Sequence, residues 1–135
     1  MARAVREIGL ARLGFVVGAW LFVACILIQV LLVGLDIFSN LGGSIHRDFA
    51  YLYGWLAPLL VLLGAAARVP RETRLMTMVM LVLFAAQTVL PSLRDQFPVA
   101  AALHPVNALA IFALAIAVAR RATDLIRPRP GVGEP

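Results

Sequence analysis

The sequence has no lysine, one cysteine and few charged residues. Its basic residues are twelve arginines, and charged residues make up only 14% of the 135, against about a quarter in soluble domains. Cys25 alone excludes an intrachain disulfide and any cysteine-based zinc or iron–sulfur site. Because 62% of the residues are hydrophobic, one buried core cannot hold all the apolar surface. The surplus is predicted to face lipid.

Apolar residues fall into four stretches, at residues 13–35, 49–67, 75–93 and 99–119. A transmembrane helix needs about 20 apolar residues, within a range of roughly 17–25. None of the stretches alternates as a membrane barrel strand would. A cleaved signal peptide is the alternative for the first stretch, but that stretch is longer than the usual ~7–15 apolar residues. The pattern predicts an all-α membrane protein, a four-transmembrane-helix antiparallel bundle over residues 13–121. Residues 1–12 form a basic N-terminal segment, and residues 122–135 a disordered tail.

The arginines are distributed unequally between the two sides of the predicted bundle. Two lie on one side, Arg47 and Arg94, each followed by an aspartate. The other ten flank the opposite helix ends: Arg3, Arg6, Arg12, Arg68, Arg71, Arg74, Arg120, Arg121, Arg127 and Arg129. Positive charge near span ends stays cytoplasmic, so both termini are predicted to be cytoplasmic. The arginines are therefore interpreted as topology signals and not as a nucleic-acid surface. An Arg-only, Ala-rich composition favours a GC-rich bacterial genome, and hence a multi-pass protein of the inner membrane.

Each predicted helix contributes one polar group near its outer end. In chain order these groups are Gln29, His46, Gln87 and His104. Polar side chains in a membrane are costly and mark functional sites or contacts between helices. The four residues are predicted to form a common layer inside the bundle.

The two histidines, His46 and His104, lie on alternate helices at similar depth and suggest the axial ligands of one haem. Arg47 and Arg94 are candidates to pair with the haem propionates. The candidate hydrogen-bonding groups around the ligands are Tyr53, Asn107, Gln29 and Gln87. The alternative is structural: an interfacial His46, a neutral His104 bonded to another helix, and two glutamines that pair with each other.

The segments IHRDFAYLYG (residues 45–54) and LHPVNALAIFALAIAVARRA (103–122), with a Gln between them, resemble one half of haem A synthase. They also resemble small uncharacterised four-helix bacterial membrane proteins. The resemblance covers roughly residues 46–121. It implies a four-helix bundle with a histidine at the outer ends of helices two and four, so that His46 and His104 would ligate a b-type haem.

The sequence departs from that family in three ways. The glutamate three residues before the first histidine is Gly43 here, the cysteine pair is missing, and the chain is half as long. Haem A synthesis is therefore not carried over, and a second bundle would require a homodimer. Electron transfer and haem handling are the functions considered, with a membrane redox partner for the first. A non-catalytic scaffold or accessory subunit without a cofactor is the alternative. No predicted span contains an acidic or basic residue, which argues against ion-coupled transport.

Overall fold

A computed structural model describes residues 2–39 and 45–127, with side chains from residue 6 onwards. Within these residues every regular element is a helix. The helices are α1 Ala2–Ser39, α2 Ile45–Tyr53, α3 Leu56–Ala66, α4 Arg71–Val89, the 3-10 helix Leu90–Leu93, α5 Pro98–Ala101 and α6 Leu103–Asp124.

The helices form four segments that are long and apolar enough to cross a membrane. We call them spans 1 to 4; they cover Arg6–Ser39, Ile45–Ala66, Arg71–Leu93 and Pro98–Asp124, and their mean hydropathies are 2.7, 1.7, 1.8 and 2.0. The prediction of an all-helical chain with four such segments is confirmed.

The first and last helices extend beyond the predicted segments. Helix α1 runs from Ala2 to Ser39, so it includes most of the predicted N-terminal segment, and α6 continues to Asp124. The extension of α1 adds Asp36 to span 1, although the predicted stretch ended at residue 35. All four spans, with the bounds given above, include acidic or basic residues near their ends, so the argument that no span contains a charged residue no longer holds. Gly43 and residues 128–135 of the predicted tail lie outside the described residues.

Neighbouring spans pack antiparallel. Span 1 contacts spans 2 and 4, and span 3 contacts the same two. Along spans 1 and 2, Arg12 Nε bonds to the carbonyl oxygen of Ala67 at one end, and Gln29 bonds to the carbonyl oxygen of His46 at the other. We call the first of these ends, which also holds an Arg121–Glu72 ion pair of 2.8 Å, the arginine-rich end. The opposite end, with His46 and His104, is the histidine end.

The bundle is packed with aromatic rings below the histidine end. Phe22 lies 5.7 Å from both Tyr53 and Phe84, measured between ring centroids, and Phe49 lies 5.2 Å from Tyr53. Tilted and edge-on ring pairs at these separations are favourable. Towards the arginine-rich end, fully buried alanines such as Ala119 let the helices approach closely.

Span 2 is interrupted between α2 and α3 at Gly54 and Trp55. Pro58 has no N–H to donate to the carbonyl of Gly54, and the Ala57 N–H bonds to that carbonyl instead, at 3.2 Å. A side chain at position 54 would also meet Phe84, whose Cε1 lies 3.1 Å from where a Cβ would stand. Glycine at this point therefore permits the close contact with span 3.

Candidate functional site at the histidine end

His104 belongs to a polar network between spans 3 and 4. Its Nδ1 lies 3.1 Å from the carbonyl oxygen of Gln87, and its Nε2 lies 3.2 Å from Gln87 Nε2. Asn107 donates from Nδ2 to Gln87 Oε1 at 2.7 Å and to the carbonyl oxygen of Leu83 at 2.9 Å. We call His104, Gln87 and Asn107 the closed cluster, because no buried polar atom of these three side chains lacks a hydrogen-bond partner.

The hydrogen bonds of the closed cluster determine the tautomer of His104. A carbonyl oxygen can only accept, so Nδ1 must carry the proton that is donated to the Gln87 carbonyl. The other ring nitrogen, Nε2, then has the lone pair and accepts from the Gln87 amide. With this assignment of the Gln87 amide, the imidazole carries a single proton, on Nδ1.

His46 lies in a second group of polar residues, between spans 1 and 2. Gln29 Nε2 donates to the backbone carbonyl of His46 at 2.7 Å, so the glutamine bonds to the backbone and not to the imidazole. The Nδ1 of His46 lies 3.3 Å from Asp36 Oδ2, although the two atoms are not aligned as a hydrogen bond. We call Gln29, Asp36 and His46 the open cluster.

Three buried polar atoms of the open cluster have no hydrogen-bond partner among the described residues. They are Gln29 Oε1, Asp36 Oδ2 and His46 Nδ1, one on each member of the cluster. A buried polar atom without a partner costs about 1–3 kcal/mol. Among the described residues, the open cluster therefore has buried polar atoms that are free to accept or donate a further hydrogen bond, and the closed cluster has none.

Asp36 is the residue that sequence reasoning missed. Its side chain is only 14% exposed, and its carboxylate is directed at His46. A signal was present: Asp36 follows Gln29 by seven residues, which places the two within about 20° of the same helical face. Because the predicted stretch ended at residue 35, Asp36 was not compared with Gln29.

The glutamines do not pair with each other. Each bonds instead within its own cluster, Gln29 to His46 and Gln87 to His104. Both clusters nevertheless lie at the same end of the bundle.

The other predicted site residues have different surroundings. Arg47 and Arg94 are exposed, and each lies nearest the aspartate that follows it, at 3.7 and 3.4 Å. Tyr53 is buried in the aromatic group with Phe22 and Phe84. Of the additional candidates, Asn107 and the two glutamines are thus the ones that contact the histidines or their clusters. In the part of the chain that the structure describes, no group of three or more His, Cys, Asp and Glu side chains is suited to a bare metal ion.

The model of a family of unknown function, DUF6220, matches residues 29–93. The matched stretch begins at Gln29 and ends with span 3, so it includes the whole open cluster and Gln87 but not His104. No curated protein and no solved structure matches the chain.

Proposed function

We propose that the chain is a multi-pass protein of the bacterial inner membrane, with the arginine-rich end and both termini in the cytoplasm. Four apolar spans in an antiparallel bundle support insertion. The unequal distribution of the twelve arginines supports the orientation. The histidine end would then lie near the outer surface.

We further propose that the histidine end binds one b-type haem, with His46 and His104 as axial ligands. The observation that carries this proposal is that both imidazoles approach an oxygen atom through Nδ1: Asp36 Oδ2 at 3.3 Å for His46, and the Gln87 carbonyl at 3.1 Å for His104. A neutral imidazole with its proton on Nδ1 keeps the lone pair on Nε2 for a metal. Oxygen partners of this kind orient metal-ligating histidines in proteins.

The surroundings of the two imidazoles fit this assignment. The open cluster retains an unpartnered Nδ1 and a nearby carboxylate on the His46 side. On the other side, Gln87 must withdraw its amide from His104 Nε2, and Asn107 remains to bond to the displaced amide oxygen. Arg47 and Arg94, at the same end, are the residues that would pair with propionates.

A haem held by His46 and His104 would supply one-electron transfer. The contribution of the chain is to orient the two imidazoles and to surround them with spans 1 to 4. Electron transfer to a membrane redox partner, or haem handling, follows as the function. A homodimer would bring two such sites together.

The test is the absorbance spectrum of the protein purified in detergent from the membranes of haem-replete cells. We expect a reduced-minus-oxidised spectrum of a b-type haem, at about one haem per chain, and loss of that signal in His46→Ala and His104→Ala. The control is Arg71→Gln, whose side chain is exposed at the opposite end of the bundle and which retains both ligands. Recovery of the chain in the soluble fraction contradicts the membrane assignment. A colourless wild type, or full haem content in His104→Ala, contradicts the haem assignment.

A scaffold without a cofactor is the second candidate, and the closed cluster favours it. His104, Gln87 and Asn107 satisfy one another without any ligand, as side chains that hold two membrane helices together do. For this function we expect a stoichiometric protein partner and no chromophore in the purified preparation.

A further inference from the structure

A groove of about 320 Å³ lies between spans 1 and 4 at the arginine-rich end, far from both polar clusters. It is lined by Trp20, Arg120, Thr123, Asp124 and Arg127. Trp20 Nε1 donates to Thr123 Oγ1 at 3.0 Å, so one hydrogen bond joins the two sides of the groove. A tryptophan with a polar contact is typical of the boundary between lipid and water.

The groove carries an excess of positive charge. Arg127 lies 3.3 Å from the carboxylate of Asp124. Arg120 is exposed and takes part in no ion pair among the described residues. Positions 120, 124 and 127 follow one face of the helix and the turn that ends it. Among the described residues, the groove therefore offers the guanidinium of Arg120, which has no counter-ion, and the guanidinium of Arg127, whose charge is balanced by Asp124.

Two exposed apolar stripes begin at this groove and run towards the middle of the bundle. On span 1, Leu27 and Leu31 lie within about 20° of the direction of Trp20, and both are exposed. On span 4, Leu109 and Ala113 lie within about 20° of the direction of Arg120 and are likewise exposed. A cationic groove that continues into an apolar surface is suited to a molecule with an anionic head and an apolar tail.

We propose that this groove binds the phosphate headgroup of an anionic phospholipid, whose acyl chains lie along the two stripes. Arg120 contacts the phosphate, since guanidinium groups bind phosphate oxygens in a bidentate manner. Basic pockets between transmembrane helices on the cytoplasmic side are suited to such headgroups. Free phosphate has the same charge but would leave the apolar stripes without a partner. The site is independent of the haem proposal, since it shares no residue with either polar cluster.

The experiment measures lipid retention. Wild type, Arg120→Gln and Arg94→Gln are purified in detergent, incubated with phosphatidylglycerol or phosphatidylcholine, and analysed by native mass spectrometry for bound lipid. Arg94→Gln is the matched control, because it removes an exposed arginine at the opposite end of the bundle. Parallel samples of wild type receive inorganic phosphate or phosphatidylglycerol, and the thermal unfolding of each is recorded.

We expect wild type and Arg94→Gln to retain phosphatidylglycerol in preference to phosphatidylcholine. Arg120→Gln should bind phosphatidylglycerol about fivefold more weakly, which corresponds to the ~1 kcal/mol that a basic residue contributes near an anionic membrane surface. Equal retention by wild type and Arg120→Gln, or of the two lipids by wild type, overturns the proposal. Stabilisation of wild type by millimolar phosphate as large as that by phosphatidylglycerol assigns the groove to a free anion and overturns it as well.

Discussion

The open and closed clusters lie at the same end of the bundle and differ in how well their polar atoms are satisfied. In the closed cluster, both ring nitrogens of His104 have partners, and Asn107 uses its amide for two hydrogen bonds. In the open cluster, each of the three side chains keeps one buried atom that has no partner among the described residues. The two halves of one polar layer therefore differ in how many hydrogen bonds they form within the described part of the chain.

Because of this difference, the two clusters are expected to contribute unequally to the stability of the ligand-free protein. Membrane helices gain stability from hydrogen bonds between them, on average about 0.6 kcal/mol each and up to roughly 1.7. The closed cluster receives this stabilisation between spans 3 and 4. Between spans 1 and 2, the open cluster forms fewer of these hydrogen bonds among the described residues and so gains less stability. Under the haem proposal, binding of the ligand would supply the missing stabilisation. Under the haem proposal the two histidines are equal as ligands but unequal in their contribution to the ligand-free fold.

The largest expected effect is the difference between the two histidine-to-alanine variants of the haem-free protein. His104→Ala removes the donor to the Gln87 carbonyl and the acceptor of its amide, so we expect the free energy of unfolding to fall by about 2 kcal/mol. His46→Ala keeps the backbone carbonyl to which Gln29 bonds, so we expect a loss below about 1 kcal/mol. Thermal unfolding in detergent, recorded by circular dichroism, measures both.

His46→Ala is thus the matched control for His104→Ala, with the same change of residue at the same end of the bundle. Equal losses of stability in the two variants would show that the clusters do not differ as their hydrogen bonds indicate. A larger loss in His46→Ala would reverse the comparison.

Much of the fold follows from the sequence, because a long apolar stretch is a strong signal of a helix that could cross a membrane. The four apolar stretches became spans 1 to 4. The break in span 2 was not predicted, although Gly54 and Pro58 are both visible in the sequence. Gly54 also lies against Phe84 of span 3, and a contact between distant parts of the chain leaves no mark on local composition.

The site was predicted in part. The histidines and glutamines were identified from polarity alone, and they do lie at one end of the bundle. Which residue bonds to which was not predictable, because it depends on the rotation of each helix about its axis. Asp36 was missed for a different reason: hydropathy ends a predicted span at the first charge, whereas the backbone of α1 continues as a helix to Ser39.

The second prediction compares the two glutamines. Gln87→Leu removes the partner of His104 Nε2 and the acceptor for Asn107, so we expect it to cost the haem-free protein about 1 kcal/mol. Gln29→Leu removes one hydrogen bond but also a buried oxygen that has no partner, so the expected change is close to zero. Chemical unfolding of both variants in the same detergent measures the difference.

The haem content of Gln87→Leu adds a second readout. Because the Gln87 amide occupies His104 Nε2 in the ligand-free protein, its removal should leave haem content at or above that of wild type. A colourless Gln87→Leu variant would mean that the glutamine supports the ligand and does not compete with it. A smaller loss of stability in Gln87→Leu than in Gln29→Leu would contradict the distinction between the clusters.

The smallest effect on stability, and the most specific one, is expected for Asp36→Asn. The Asp36 carboxylate makes no hydrogen bond through Oδ2 and lies 3.3 Å from His46 Nδ1. Replacing it with the isosteric amide loses no bond of that oxygen, so the stability of the haem-free protein should change by less than about 0.5 kcal/mol.

The charge of Asp36 matters more to the ligand: a negative charge behind an axial histidine favours ferric over ferrous iron, so its loss should raise the midpoint potential of the haem. Redox titration of Asp36→Asn measures this, with Asp48→Asn as control, because Asp48 lies at the same end of the bundle but its side chain is 65% exposed. An unchanged potential in Asp36→Asn, or an equal shift in Asp48→Asn, would remove Asp36 from the site and leave His46 without an orienting partner.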